Sequence, residues 1–303
     1  MDTMPVVIGF DGSETGRRAL DVAVREAARR KVPLDILHAY VVPVTPVPVG
    51  IQYSDETEER ARKAAEKQLA DAVDWATVAA PGIKVTSDLE TLPAAEALIE
   101  RGRTASLLVL GSRGLGGLGE LVLGSTAIQV ATHATCPTIV VPPEDRVLDA
   151  GPEEGRVVVG VDPSPSSDSA IAFAFEEAAL RGIGLTAVHA WDAPFFDAPG
   201  GKGGVIPRHI LHEDFAAVIS QEGEVLDASM TGWQDKFPEV DVRRVLVHQR
   251  AAAALVGASA GAELLVVGSR GRGGFTSLLL GSVSYKTLHH AHCPVAVVRS
   301  VRT

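Results

Sequence analysis

GSRGLGGLGELVLGS, running from Gly111 to Ser125, returns 157 residues later as GSRGRGGFTSLLLGS, from Gly268 to Ser282. In each copy two glycines stand three apart, nine residues follow, and a Gly-Ser pair closes the stretch. The flanking sequence repeats too. VVIGFDGSE (Val6 to Glu14) returns as VVVGVDPSP (Val157 to Pro165), LHAY (Leu37 to Tyr40) as VHAW (Val188 to Trp191), and HATCPTIVV (His133 to Val141) as HAHCPVAVV (His290 to Val298). The first two of these pairs share an offset of 151 and the last an offset of 157, so six extra residues sit mid-repeat in the second copy. A period this long marks a duplicated domain; solenoid units are far shorter.

At 303 residues the chain has room for two domains of ordinary size. No apolar run approaches the roughly 20 residues that cross a bilayer, and the opening MDTMPVVIG lacks the features of a signal peptide. The expected location is the cytoplasm, with no membrane partner. Net charge is −10, from 28 basic and 38 acidic residues; 15 and 21 of these fall within the first 150 positions, 13 and 17 beyond. Neither half is basic, so nucleic acid is not an expected partner, and any anion must be held by local geometry. Cys136 and Cys293 each precede a proline at matching positions. With no second cysteine close by, they read as small buried reduced thiols at a strand start.

Each copy alternates short β-branched runs with longer amphipathic stretches. In the first, strands are expected at Val6–Phe10, Leu34–Tyr40, Ile83–Leu89, Leu107–Leu110 and Thr138–Val141. Helices are expected at Thr15–Lys31, Asp55–Ala80, Pro93–Arg103 and Ser125–His133, with a Pro/Val-rich loop at Val41–Tyr53. The second copy repeats the order: Val157–Val161, Ser167–Arg181, Leu185–Ala190, His212–Lys236, Val240–Val247, Ala251–Ala260, Leu264–Val267, Ser282–His290 and Val295–Val298. Strands alternating with helices predict α/β architecture: two doubly wound, Rossmann-like domains, each a five-stranded parallel sheet with helices on both faces. The domains are expected at 1–143 and 156–303, joined by a Pro-, Gly- and acid-rich linker at 144–155.

In such a sheet ligands settle at the carboxyl ends of strands where the topology changes direction, and Gly111 and Gly268 end the fourth strand of each copy. Gly111 and Gly114 let the loop turn tightly and approach a ligand without a Cβ in the way. Gly124-Ser125 then opens a helix whose free amides favour an anion, and the Ser125 hydroxyl could cap that helix or donate to a phosphate oxygen. Arg113 and Arg270 could reach outer phosphates as charged forks. Tight turns and helix caps also use Gly and Ser, and duplication copies structural glycines, so the loop alone leaves both readings open. There is no GxxxxGK[ST], and the first strand lacks GxGxxG; GGKGG at Gly200–Gly204 has no hydroxyl residue after its lysine.

With Asp11 ending the first strand, His38-Ala39 the second, and the glycine motif after the fourth, the chain resembles the universal stress proteins over nearly its whole length, as a tandem two-domain member. The resemblance implies an adenine nucleotide α-hydrolase-like fold and ATP at each motif, two per chain, with Mg2+ accompanying the phosphates. It implies Asp11 and Asp162 beside the adenosine, Gly9 and Gly160 leaving room for the nucleotide, and Ala39 and Ala190 meeting the adenine through backbone. The ribose and phosphate loops would be Gly111, Ser112, Arg113, Gly114, Gly124, Ser125 and Thr126, and Gly268, Ser269, Arg270, Gly271, Gly281, Ser282 and Val283. It also implies that Thr138–Val141 faces Val295–Val298 in an intramolecular pseudo-dimer, with a further homodimer left open.

The expected function is a non-enzymatic ATP sensor read by an unidentified regulatory protein; the alternative is a slow ATPase or nucleotide-transfer enzyme on the same sites. Asp11 and Asp162, the repeated acids near the site, are implied at the end away from the γ-phosphate, and no catalytic residue is assigned. His289, His290 and His292 cluster before Cys293, but a helix C-terminus favours histidine by itself, and no metal site is assigned. The turns differ between copies, Asp11-Gly12 against Asp162-Pro163, so unequal affinities are expected. The loop Asp192–Arg208, with Phe195 and Phe196, reads as a variable surface loop.

Overall fold

The computed structural model describes residues 4–40, 45–47, 50–52, 55–114, 123–148, 150–192, 208–271 and 280–300, with backbone only at 45–47, 50–52, 55 and 208–215. The protein is α/β, and it divides into two compact units: residues 1–147 with 294–299, and residues 148–293 with 300–303.

In unit 1 the near-continuous apolar runs form parallel strands β1 (Val6–Gly9), β2 (Leu34–Ala39), β5 (Val85–Glu90), β6 (Leu107–Gly111) and β7 (Thr138–Val141). The spatial order is β5-β2-β1-β6-β7. Val6, Val7 and Ile8, and likewise Leu107 to Val109, are fully buried. That is what a parallel strand covered on both faces requires, and it explains why these runs are apolar rather than alternating. Helices α1 (Glu14–Arg30), α2 (Asp55–Ala79), α3 (Ala94–Arg101) and α4 (Ser125–His133) connect them, α1 packing with α2 and α3 with α4. Ser13 caps α1, its Oγ accepting from the Gly16 amide at 3.0 Å. Two short strands, β3 (Thr45–Val47) and β4 (Gly50–Gln52), pair antiparallel within the stretch expected to be plain loop.

β1 has β2 on one side and β6 on the other, so the chain reverses its direction of travel across the sheet between β1 and β6. Their carboxyl ends, followed by α1 and α4, form the crevice where ligands of this architecture bind. Asp11 follows β1, and Gly111 ends β6.

Unit 2 repeats the plan with parallel strands β8 (Val157–Gly160), β9 (Leu185–Trp191), β10 (Val242–His248) and β11 (Leu264–Gly268), ordered β10-β9-β8-β11. Its helices are α5 (Pro165–Arg181), α6 (Arg208–Met230), α7 (Trp233–Lys236), α8 (Ala251–Ala258) and α9 (Ser282–His290). The single helix expected over His212–Lys236 is two, because Gly232 takes a left-handed φ of +79° that no α-helix tolerates. The break lets Trp233 and Phe237 stack on the fully buried Phe175 of α5, with ring centroids 6.0 and 5.5 Å away. The loop expected at Asp192–Arg208 lies outside the described residues between its ends.

The last strand of the second copy, β12 (Val295–Val298), belongs to unit 1. It runs antiparallel to β7, with Val295 opposite Val140, Ala296 opposite Ile139 and Val297 opposite Thr138. This is the pairing that the family resemblance implies. Without β12, the wholly buried strand Thr138–Val141 would present an open apolar edge. A fragment of residues 1–147 is therefore expected to self-associate in size-exclusion chromatography. A monodisperse monomer with the full chain's thermal stability would show that β12 contributes nothing to unit 1.

Candidate functional site

The loop after β6 is fixed at both ends by main-chain bonds. The Ser112 amide donates to the Val141 carbonyl and the Gly124 amide to the Ser112 carbonyl, each at 2.8 Å. Between them the Thr15 hydroxyl, in the first turn of α1, donates to the Arg113 carbonyl at 2.5 Å. α1 comes this close because Gly111 carries no side chain: a Cβ there would lie 2.7 Å from Thr15 Oγ1 and 2.9 Å from the Thr15 carbonyl carbon. Thr15 had no assigned part in the sequence reading. Its signal was a hydroxyl residue kept at this position in both copies, as Thr15 and Ser166.

Asp11 folds into the same space. Its Oδ1 accepts from the Ser13 amide at 3.0 Å, and its Oδ2 lies so near Gly114 that a Cβ on that glycine would be 2.8 Å away. Unit 2 matches: Asp162 Oδ1 accepts from the Ser164 amide at 3.1 Å and from its hydroxyl at 2.5 Å, and a Cβ on Gly271 would meet Asp162 Oδ2 at 2.6 Å. The structure thus gathers Asp11, Gly111, Ser112, Arg113, Gly114 and Gly124, and separately Asp162, Gly268, Ser269, Arg270, Gly271 and Gly281.

Helix capping differs by position. Ser13 and Ser164 cap α1 and α5 with their hydroxyls, whereas α4 and α9 begin from Gly124 and Gly281, which offer no side-chain cap, and neither has an acid in its first turn. The first i→i−4 bond of α4 is Ile128 to Gly124 and of α9 Tyr285 to Gly281. Because Gly124 is the cap, Ser125 is the first helical residue and its hydroxyl is not the cap; Ser282 stands likewise in α9. The positive ends of α4 and α9 thus open on the loop, the arrangement that holds phosphates elsewhere. Thr126 and Val283 follow as second residues of these helices.

Two buried hydroxyls sit in these loops without a hydrogen-bond partner. Ser112 is 2% and Ser269 1% exposed, and neither Oγ has a hydrogen-bond partner among the described residues. An unsatisfied buried hydroxyl costs about 1–3 kcal/mol. Finding it at the same place twice fits a group whose partner arrives with a ligand.

Gly9 and Gly160 end β1 and β8, but the space they leave is taken by protein. A Cβ on Gly9 would run into Leu98 of α3 at 2.7 Å, and one on Gly160 into Leu255 of α8 at 2.8 Å. On its Cβ side each of these glycines admits a core leucine. Ala39 and Ala190 stand half-buried at the ends of β2 and β9, beside the crevice. Gly12 takes a left-handed φ of +76°, a conformation closed to Pro163 in the second copy, so the two first-strand turns do differ.

His38 and His189 close matching strands in different surroundings. His189 is held on both nitrogens, Nδ1 at 2.7 Å from the Val161 carbonyl and Nε2 at 2.7 Å from Glu222 Oε2 on α6. The position corresponding to Glu222 at the offset of 157 is the buried Ala65, and His38 Nδ1 has no partner. Burial holds the His38 pKa below the ordinary histidine value, against an opposing pull from the Asp11 carboxylate. The thiols are inert: burial pushes Cys136 up to about 11 and Cys293 up to about 12. His289 packs its ring on Tyr285 at 4.4 Å. Among the described residues no three His, Cys, Asp or Glu side chains converge as metal ligands would.

Two outcomes follow from this geometry. Gly111→Ala should lower unfolding stability by about 1–3 kcal/mol, the usual cost of overpacking, because the methyl meets α1 backbone. An unchanged denaturation midpoint would contradict the packing described. For His38, the unfolded chain takes up its proton near pH 6.5, before the folded protein does. Stability should therefore fall as pH drops below about 6.5 and level off beneath the lowered folded value. The difference between wild type and His38→Gln in pH-dependent urea denaturation should show that slope; parallel curves would remove it.

A family model described as the universal stress protein family matches residues 3–142 and again 154–299. A universal stress protein of Mycobacterium tuberculosis is 39% identical over 302 residues, which span 97% of this chain and 96% of that protein. A second from the same organism is 34% identical over 307 residues, or 99% and 98% of the two chains. Among solved structures, a universal stress protein from Archaeoglobus fulgidus matches 98% of both chains with a TM-score of 0.64 at 19% identity, a likeness of fold. The chain belongs to the universal stress protein family and carries the family's domain twice in tandem.

Proposed function

We propose that the protein binds one adenine nucleotide, ATP in the first place, in the crevice of each unit, and that occupancy is read by a partner protein as a regulatory signal. The observation that carries this reading is the coincidence, in both units, of three features around one loop. These are a helix N-terminus capped only by glycine, a buried Ser112 or Ser269 hydroxyl without a partner, and a Gly114 or Gly271 position cleared of any Cβ beside Asp11 or Asp162.

In this reading the open amides of α4 and α9 take phosphate oxygens, Ser125 and Ser282 donate from the first helical position, and Arg113 and Arg270 pair with the outer charge. Ser112 and Ser269 meet the ribose–phosphate part of the ligand. Asp11 and Asp162 accept from its sugar or base, and Mg2+ accompanies the phosphate chain. Regulation requires that the nucleotide favour one arrangement of the protein over another, and protease sensitivity across an ATP titration reads that difference.

Calorimetric titration of the full chain tests the binding. Gly114→Val and Gly271→Val should each remove one of two sites, because the larger side chain displaces the neighbouring aspartate, while the melting curve stays close to wild type. Full stoichiometry in both variants would overturn the assignment. Phosphate release followed in the same samples separates a sensor, with no steady turnover, from a slow ATPase whose release disappears with these substitutions.

A further inference from the structure

Unit 2 holds a buried histidine between two groups that ordinarily accept hydrogen bonds. His189 is 1% exposed and stands two residues before the end of β9. Its Nδ1 lies 2.7 Å from the Val161 carbonyl, and its Nε2 lies 2.7 Å from Glu222 Oε2 on α6. A carbonyl only accepts, so Nδ1 carries a proton and donates it. A neutral imidazole then presents a bare lone pair at Nε2, and an ionised carboxylate also only accepts. The contact with Glu222 therefore needs one more proton, on the ring as imidazolium or on Glu222 as the carboxylic acid. Wherever that proton sits, the bond between β9 and α6 exists only while the pair holds it.

Glu222 interrupts an apolar stretch of α6: one turn to either side stand Val218, Ile219, Val225 and the buried Leu226. Without the proton, a lone pair and a carboxylate would face each other in these surroundings, with little water to screen them. The other charged groups on the elements packed against β9 are engaged elsewhere. Asp162, after β8, accepts from Ser164; on β10, Arg243 pairs with Glu153, Arg244 with Asp227, and the His248 ring stacks on Trp191. On α5, Glu177 pairs with Arg181, and Asp168 and Glu176 are exposed; α8 has no titratable side chain, and Arg250 before it pairs with Asp192. Unit 1 keeps the histidine as His38 but has Ala65 at the position corresponding to Glu222.

We propose that His189 and Glu222 form a proton-dependent clamp, present in unit 2 alone, that fastens α6 to the carboxyl end of the unit 2 sheet and releases it when the proton is lost. Val161 directly precedes Asp162, so the clamp ties α6 to the first-strand turn beside the glycine loop. Acid holds the helix and alkali loosens it. The sign follows from linkage: the clamped protein keeps a proton that the unfolded chain gives up as pH rises, so the clamp's contribution is present on the acid side and lost on the alkaline side. In unit 1 the sense is opposite, since burial of His38 lowers its pKa and acid destabilises that unit. The clamp goes beyond the nucleotide reading and does not depend on it: acidity is a separate input to unit 2.

The test is hydrogen exchange of α6 peptides in the full chain, read by mass spectrometry without nucleotide and corrected for the intrinsic exchange rate. It is run from about pH 6 to about pH 9, which spans the ordinary titration of histidine. Wild-type α6 should lose about tenfold in protection towards the alkaline end, the scale of one charge-assisted bond. Glu222→Gln can donate its amide to a neutral Nε2, so its protection should stay level across the range, and Glu222→Ala should be poorly protected throughout. His38 is common to all three proteins and cancels in the comparison. Wild-type protection that runs parallel to that of Glu222→Gln would overturn the clamp. Nitrogen chemical shifts of the His189 ring give a second reading that needs no variant to fold. At the acid end, protons on both nitrogens, or one on Nδ1 with the other on Glu222, support the clamp; a proton on Nε2 alone would overturn it.

Discussion

The close approach of the β6 loop to the first turn of α1 organises the rest of the site. Gly111 has no side chain, so Thr15 can lie against it and hold the Arg113 carbonyl with its hydroxyl. Once that contact is made, Ser112 is buried between β7 and the loop, Gly114 is brought under Asp11, and Gly124 is set to open α4 without a side-chain cap. A loop lifted off α1 by one methyl group would lose these relations together.

Duplication preserved this arrangement and let its surroundings drift. Gly268 approaches Ser166 as Gly111 approaches Thr15, and Gly271 lies under Asp162 as Gly114 lies under Asp11. Around that shared frame the units have diverged in charge and in hydrogen bonding. His189 is clamped by Glu222 and the Val161 carbonyl, while unit 1 has Ala65 at the position corresponding to Glu222 and leaves His38 Nδ1 without a hydrogen-bond partner. The end of the second strand is therefore held by different hydrogen bonds in the two units.

The fold was legible because each strand is an apolar run and the whole pattern occurs twice, so one copy checks the other. The parallel α/β architecture and the placement of Gly111 and Gly268 at the ends of the fourth strands follow from that pattern, whereas the spatial order of the strands comes from the structure. What escaped it has local or long-range causes. Gly232 divides a helix whose periodicity reads as unbroken, because one left-handed residue barely disturbs the spacing of apolar positions. Pro46 sits in β3 opposite Ile51 in a two-stranded pair, where a missing amide donor is tolerated. The space on the Cβ side of Gly9 is filled by Leu98, 89 positions away. Thr15 meets Arg113 across 98 positions. Contacts of that span leave no trace in composition or periodicity.

In the proposed reading both crevices take a phosphate ligand as well as serving the packing of the fold. Denaturing freshly purified full-length protein and identifying the released small molecules by chromatography and mass spectrometry tests it most directly. The account predicts adenine nucleotide approaching two per chain, or, in a preparation stripped during purification, the uptake of two when ATP is added back. A protein that releases none and takes up none would contradict it, and the glycine loops would then be architecture alone.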